Sequence, residues 1–323
     1  MQPPLFVRAS LALAFATSLA NAQPFPSKPI RVVIPFSASG PSDITVRNVA
    51  PRMTELLNAP AIVIDNRGGG NGFIGAEIVA KAPADGYTWL ATTATITSIN
   101  MVVFPVRPYD TLRDFQPLTP LMQTDTILVV HPSMPVKSLK ELIALAKAKP
   151  GALVIGSGGN GSTLHLALEL LHTEAGIKTN HVPYKGAAPA VTDLIAGQIN
   201  GMFVDLPVIS PQIKAGKARA IAVASTKLSV YFPDVPTTVE GGYPNVLMSG
   251  LYSLLLPIKT PREIVMKLHD AAVKTMATPA VREKFTSFGA DPYTLTPEEF
   301  TAFLRADIAK WGKVAKAANI KVD

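Results

Sequence analysis

A run of small residues between a strand and a helix carries the clearest chemistry in this chain. Gly156, Ser157, Gly158, Gly159, Asn160 and Gly161 follow the β-forming stretch 153–155 and lead into Ser162 and Thr163. Either hydroxyl can cap the helix announced by Leu164, Leu166, Ala167, Leu168, Leu170 and Leu171, which recur with helical period. A helix start leaves its first N–H groups without intrahelical acceptors, at the positive end of the helix dipole. Glycines let that backbone close on a ligand, and the hydroxyls add donors. The chemistry this spacing supports is capture of an anion.

Gly156, Gly158 and Gly161 also fit G-x-G-x-x-G, which alone is a weak dinucleotide signal. A dinucleotide site needs an acid at the end of the next strand for the ribose. The next strand candidate, 178–185, holds none, and the nearest acid, Glu174, ends the preceding helix. A small carboxylate is therefore favoured over a nucleotide. Ser162 and His165 stand three apart and could pair as nucleophile and base. There is no G-x-S-x-G elbow and no assigned orienting acid, so Ser162 reads as a cap and donor. The five histidines (131, 165, 172, 181 and 269) form no H-E-x-x-H pair, and no metal or cofactor is expected.

The elements around this loop alternate between strand and helix patterns, which argues for α/β architecture with largely parallel sheets. Strand patterns fall at 30–36, 61–66, 87–93, 118–131, 201–205, 218–224 and 250–256. Helical patterns fall at 44–57, 73–82, 138–149, 187–196, 261–276, 279–288 and 297–318. Two earlier loops share the design of the first: Ser37–Gly40 after one strand and Gly68–Gly72 after the next. In open α/β sheets ligands sit beyond the carboxyl ends of strands, where such loops gather. The loops are far apart in sequence, so a site between two lobes that close on a small ligand accounts for all three. The hydroxyl-rich segment 92–99, which includes Thr93, is placed to line the rest of that site.

At the N-terminus, residues 1–22 carry a single charge, Arg8, an apolar run, and the small-x-small sequence Ala20-Asn21-Ala22. They read as a secretory signal peptide cleaved after Ala22, which places the mature protein in the periplasm. The apolar run is too short to span a bilayer. With no cysteine, the chain is indifferent to an oxidising compartment and lacks thiolate metal ligands. The net charge of +7 is spread as isolated Lys and Arg, without the polybasic block or aromatic interleaving of a nucleic-acid binder.

Several longer stretches resemble one family. They are PSKPIRVVIPFSASGPSDITVR, VIDNRGGGNGFIGAEIVAKAPADGYTWL, VIGSGGNGSTLHLALELL, VPYKGAAPAVTDLIAGQINGMFVD and the closing FLRADIAKWGKVAKAANIK. In this order they resemble the Bug-type solute receptors, the extracytoplasmic binding proteins of tripartite tricarboxylate transport systems. The resemblance implies a two-lobed periplasmic binding protein of type II-like architecture, with two chain crossings as its hinge. The implied lobes are 23–124 plus 246–323, and 125–245. It also implies ligand contacts from Phe36, Ser37, Ser39 and Gly40, from Gly70, Asn71 and Gly72, and from Ser157, Gly158, Asn160, Gly161, Ser162 and Thr163. Asp205, in the FVD stretch, matches a further family position near the ligand.

Three departures from the family pattern stand out. Ser37 and Ser39 replace small apolar or glycine positions in the first loop. The second loop reads NRGGGNG in place of NRPGAGG, which offers Asn71 to the ligand. Tyr252 stands where the family often has tryptophan. The expected function is capture of a small organic carboxylate by a monomeric, non-enzymatic receptor that delivers it to membrane permease subunits. Two other readings stay open: a secreted α/β hydrolase or dehydrogenase, and a sensory receptor presenting its ligand to a signalling partner.

Overall fold

Buried β-forming runs and amphipathic helices alternate along residues 25–317, the part of the chain described by this computed structural model. The first half runs β1 (Ile30–Ile34), α1 (Pro41–Leu57), β2 (Ile62–Asn66), α2 (Phe73–Ala80) and β3 (Thr88–Thr93). A π-helical turn, Thr95–Ile99, then leads into α3 (Asn100–Val103) and α4 (Thr111–Asp114). Next come β4 (Phe115–Val130), α5 (Leu139–Ala148), β5 (Val154–Ser157), α6 (Thr163–Ala175) and β6 (Asn180–Pro183). They are followed by α7 (Ala187–Ile195), β7 (Gly201–Asp205), α8 (Leu206–Lys214), β8 (Arg219–Val223) and β9 (Ser249–Pro257). The described chain closes with α9 (Arg262–Ala277), α10 (Pro279–Ser287), β10 (Ala290–Pro292) and α11 (Pro297–Ala317). The expected signal peptide lies outside the described residues.

The strands follow the order β2-β1-β3-β9-β4-β7-β5-β6, with β10 and β8 also paired to β4. Strand β4 is 16 residues long and serves both halves. Its stretch from Phe115 to Asp125 pairs with β9, and its stretch from Thr126 to Val130 pairs with β7. The register therefore changes partner between Asp125 and Thr126. The outer pairs β1–β2, β1–β3, β5–β6 and β5–β7 are parallel, as βαβ crossovers require. The pairs made by the linking strands β4 and β9 are antiparallel.

Each half has its own core. Ile30, Val32, Ile34, Trp89, Leu254 and Phe285 pack in the first, and Leu128, Ile155, Leu166, Phe203 and Ile221 in the second. The lobes are also tied at the back: Ile99, Val103, Trp311 and Ala315 join the second core.

Four helical pieces and one strand escape the period argument. The segment running from Thr95 to Val103 is rich in β-branched residues yet coils, and α4 is only four residues long. Helix α8 carries Pro207 near its start and Pro211 inside, so its sequence reads as a breaker. Strand β10 spans only three residues.

Candidate functional site

Three helix N-termini converge on one cavity. Helix α6 begins where the sequence places it: Ser162 is the N-cap in extended conformation, and its Oγ accepts the His165 N–H at 3.2 Å. Gly176 ends the helix in left-handed conformation. Helix α1 begins at Pro41, whose fixed φ suits a first turn and which has no N–H to satisfy. Helix α7 begins after Gly186, at φ +131°. A Cβ on Gly186 would stand 2.6 Å from Ser37 Oγ, so only glycine lets the two lobes approach here.

About 410 Å³ of atom-free space, open solvent included, lies between these helix starts. The first lobe contributes Phe36, Gly40, Pro41, Ser42, Thr93 and Thr95. The second contributes Gly158, Ser162, Thr163, Leu164, Gly186 and Ala187. Asp205, at the end of β7, and Tyr252, on β9, complete the wall. No Lys or Arg appears in this lining, so the groups available to an anion here are the peptide dipoles and N–H donors of the helix starts.

Asp205 is fully buried and takes hydrogen bonds from Thr126 Oγ1 at 2.5 Å and from the Tyr252 hydroxyl. Burial pushes its carboxyl up to about 6, against the partial relief those two donors give. Burial, and secondarily the Asp205 charge, raises Tyr252 well above its ordinary range. Asp43, at the start of α1, differs: burial raises it, but Arg47 and the Ser39 N–H outweigh that and hold it low. Its role is to neutralise Arg47 and brace the first loop, as a capping carboxylate does.

The lobes touch directly. Thr163 N–H donates to Thr95 Oγ1 at 3.1 Å, and Ser37 N–H donates to the Lys185 carbonyl at 3.1 Å. Of the first donors of α6, His165 N–H goes to Ser162 and Thr163 N–H to Thr95. The Leu164 N–H is left without an acceptor among the described residues.

Seven of the residues expected to contact ligand meet around this cavity: Phe36, Gly40, Thr93, Gly158, Ser162, Thr163 and Asp205. The others are not among the residues that line it. Ser37 and Ser39 form the back of the first loop, Ser39 at φ 61° with its N–H on Asp43. Asn71 donates its side-chain amide N–H to Asn100 Oδ1 at 2.7 Å and accepts from Asn100 on its backbone carbonyl, while its own Oδ1 is buried beside Gly159 without a partner among the described residues. Gly70 and Gly72 form the short 3₁₀ turn with it. Ser157 bonds within its loop and lies 2.6 Å from His181 Nε2. Asn160 is exposed, and Gly161 is buried against the Phe104 ring.

Sequence reasoning missed Pro41, Ser42, Leu164, Gly186, Ala187 and Tyr252 as lining residues, whereas Thr95 falls in the segment 92–99 expected to line the site. The GAAP start of α7 was a findable signal, because a glycine before a helix after a strand repeats the design of the other loops. Tyr252 has no local signal at all, since it reaches the cavity through long-range pairing, opposite Thr93 of β3 on one side and Met122 of β4 on the other.

The arrangement binds more readily than it reacts. Ser162 Oγ engages the backbone of His165, while that ring's Nδ1 accepts the Gly161 N–H. Ser157 and His181 form a hydroxyl–imidazole pair, but neither lines the cavity. No group of three His, Asp or Glu that could hold a metal occurs among the described residues. None of the described helices is long and apolar enough to cross a membrane.

Residues 45–320 match the model of the tripartite tricarboxylate transporter family receptor. Protein BugT of Bordetella pertussis is 32% identical over 313 residues, which cover 97% of this chain and 96% of that protein. A solved structure of Rpa4515 from R. palustris with adipate is 35% identical, with a TM-score of 0.88, covering 92% of this chain and 99% of that one. MatC from Rhodopseudomonas palustris, solved with bound malate, is 28% identical, with a TM-score of 0.85, covering 90% of this chain and 99% of that one.

Proposed function

Because this chain belongs to the tripartite tricarboxylate transporter receptor family, as a solute-binding protein of two lobes, we propose that its ligand is a small dicarboxylate held between them. The observation that carries this reading is the convergence of the α1, α6 and α7 N-termini on one cavity without a basic side chain in its wall. Adipate and malate, in the two relatives solved with ligand, are both small acids with a carboxylate at each end. One carboxylate sits at the start of α6, near Ser162 and Thr163, and the other at the starts of α1 and α7. Hydrogen bonds to a charged group contribute about 1.5–3 kcal/mol each, and a helix terminus adds about 0.3–2 kcal/mol. Micromolar affinity needs about 8 kcal/mol net, which five or six such donors reach after the costs of association and closure.

Asp205 gives the site its selectivity. A buried carboxylate repels an anionic oxygen but accepts from a hydroxyl or ammonium carried between the ligand's ends. The ligand contacts proposed here are Phe36, Gly40, Thr93, Ser162, Thr163 and Asp205, with Ser37, Ser39, Gly70, Asn71, Gly72, Ser157, Gly158, Asn160 and Gly161 framing them. The lobes divide at 124/125 and 245/246, and closing about that hinge presents the loaded form to permease subunits in the periplasm. The protein acts as a monomer without a cofactor and leaves the bonds of its ligand intact.

Titration calorimetry with adipate and malate tests the reading. Micromolar binding of at least one acid, recovered unchanged afterwards, is expected. Absence of binding, or conversion of the acid, contradicts it.

A further inference from the structure

Behind the Gly/Ser loop, three histidines and a glutamate form a cluster that the cavity wall does not include. The rings of His165 and His181 stack with centroids 4.0 Å apart and an interplanar angle of 11°. Each grips one end of the loop. His181 Nε2 lies 2.6 Å from Ser157 Oγ, and Ser157 Oγ exchanges hydrogen bonds with Gly159 at 3.2 Å. His165 Nδ1 accepts the Gly161 N–H at 3.0 Å. On its far side, His165 Nε2 stands 3.4 Å from Glu169 Oε1, which His172 Nδ1 approaches at 3.1 Å. His172 Nε2 is 2.9 Å from Thr179 Oγ1.

These contacts fix a proton arrangement. A nitrogen that accepts from a backbone N–H carries no proton, so His165 Nδ1 is bare and its Nε2 carries the hydrogen that faces Glu169. The carboxylate thus selects the tautomer, as a carboxylate orients a metal-bound or catalytic imidazole elsewhere. The two histidines beside it hold Glu169 far below the usual carboxylate range, so it stays ionised for this role. Burial lowers His181 to about 4, and any proton added to His165 lowers it further, which keeps the stacked partner neutral. The titratable groups facing His165 are Glu169 and His172 on its own helix and His181 on β6.

We propose that His165 is a positioning residue for the ligand cavity: through Gly161 it sets where Ser162 and Thr163 stand, and Glu169 holds its ring in the tautomer that can do so. Gly161 needs such an anchor. It has φ +70°, and the Phe104 ring of the first lobe lies where its Cβ would be. A loop bond lost here moves the start of α6 relative to Thr95, the residue it meets on closing. The inference rests on the proposed capture of a dicarboxylate at that helix start.

Three substitutions separate the roles of the ring. Asparagine puts Oδ1 at the bond distance of Nδ1 and can take the Gly161 N–H. Glutamine extends its amide past that point towards Glu169, and leucine keeps bulk without any acceptor. Adipate affinity (malate, if adipate is not bound) is measured by calorimetry for the wild type and for His165→Asn, His165→Gln and His165→Leu, each checked for native circular dichroism. The Leu and Gln variants lose about tenfold in affinity, equivalent to about 1.4 kcal/mol, while Asn stays within about threefold of the wild type. Nitrogen-15 spectra of the histidine rings give a second readout that needs no ligand. At neutral pH, His165 shows a protonated Nε2 and a bare Nδ1, and Glu169→Gln shifts the ring towards the other tautomer. Equal affinity in His165→Leu and wild type, an Asn variant no better than Leu, or a protonated Nδ1 overturns the inference. A wild-type protein that binds neither acid contradicts the proposed function itself.

Discussion

Thr163, first residue of α6, donates its N–H to Thr95 Oγ1 in the π turn after β3, across the cleft at 3.1 Å. Both residues are buried and both line the cavity. The bond joins a helix start in one lobe to a side chain of the other, so it exists only while the lobes touch. Thr95→Val keeps the β-branched shape and removes the acceptor, leaving a buried N–H unpaired at a cost of about 1–3 kcal/mol in the closed form alone. The account expects weaker adipate binding by about tenfold and a larger ligand-free radius of gyration in solution scattering. Unchanged affinity with an unchanged radius counts against a latch.

Gly186 faces Ser37 from the other side of the cleft. A methyl group there meets Ser37 Oγ at 2.6 Å, and alanine is strained at φ +131°. Strain of this kind costs about 1–3 kcal/mol. Gly186→Ala is expected to weaken binding by more than its loss of melting temperature accounts for, because the clash opposes lobe approach. Adding Ser37→Gly removes the hydroxyl and recovers part of the affinity. Full affinity in the single variant shows that this contact does not control closure.

Asp205 makes stability depend on pH in an unusual direction. Its carboxyl titrates at about 6 when folded, against an ordinary value of 3.8. Between those values the folded protein binds more protons than the unfolded chain, so this group's contribution to stability falls as pH rises. Two units correspond to a difference on the order of 3 kcal/mol. Asp205→Asn lacks this cost, so its stability relative to wild type should be greater at pH 8 than at pH 5, as read from urea unfolding at both. A difference that does not change with pH contradicts the raised carboxyl.

Asn71 sits at φ 49° with its amide on Asn100, not in the cavity wall. Glycine adopts that backbone freely. Asn71→Gly is expected to lower stability by about 1 kcal/mol for the lost side-chain hydrogen bond, and to leave ligand affinity within about twofold. A large loss of affinity at unchanged stability puts the amide on the ligand after all.

The sequence made the strand–loop–helix junctions visible because glycine, proline and serine mark them locally. Ser162 as a cap, Gly156 to Gly161 as a loop and the start of α1 near the Ser37–Gly40 loop all followed from turn chemistry and period. What stayed hidden depends on pairing at long range. Asp205 and Tyr252 are 47 positions apart and meet because β4 changes partner at Asp125 and Thr126. The coil from Thr95 to Val103 was hidden for another reason: threonine, isoleucine and valine favour strands, and only burial against both lobes' cores makes them wind. Asn71 reads as a ligand contact from its type and loop, and no local rule reveals Asn100 as the partner of its amide nitrogen.

Thermal unfolding of the purified protein with and without adipate and malate addresses the central claim most directly. A ligand at 100 times its dissociation constant stabilises the fold by about 2.7 kcal/mol. The account predicts a rise of that order with at least one of the acids, none with NAD, and full recovery of the acid afterwards. No rise with either acid, or disappearance of the acid during incubation, contradicts it.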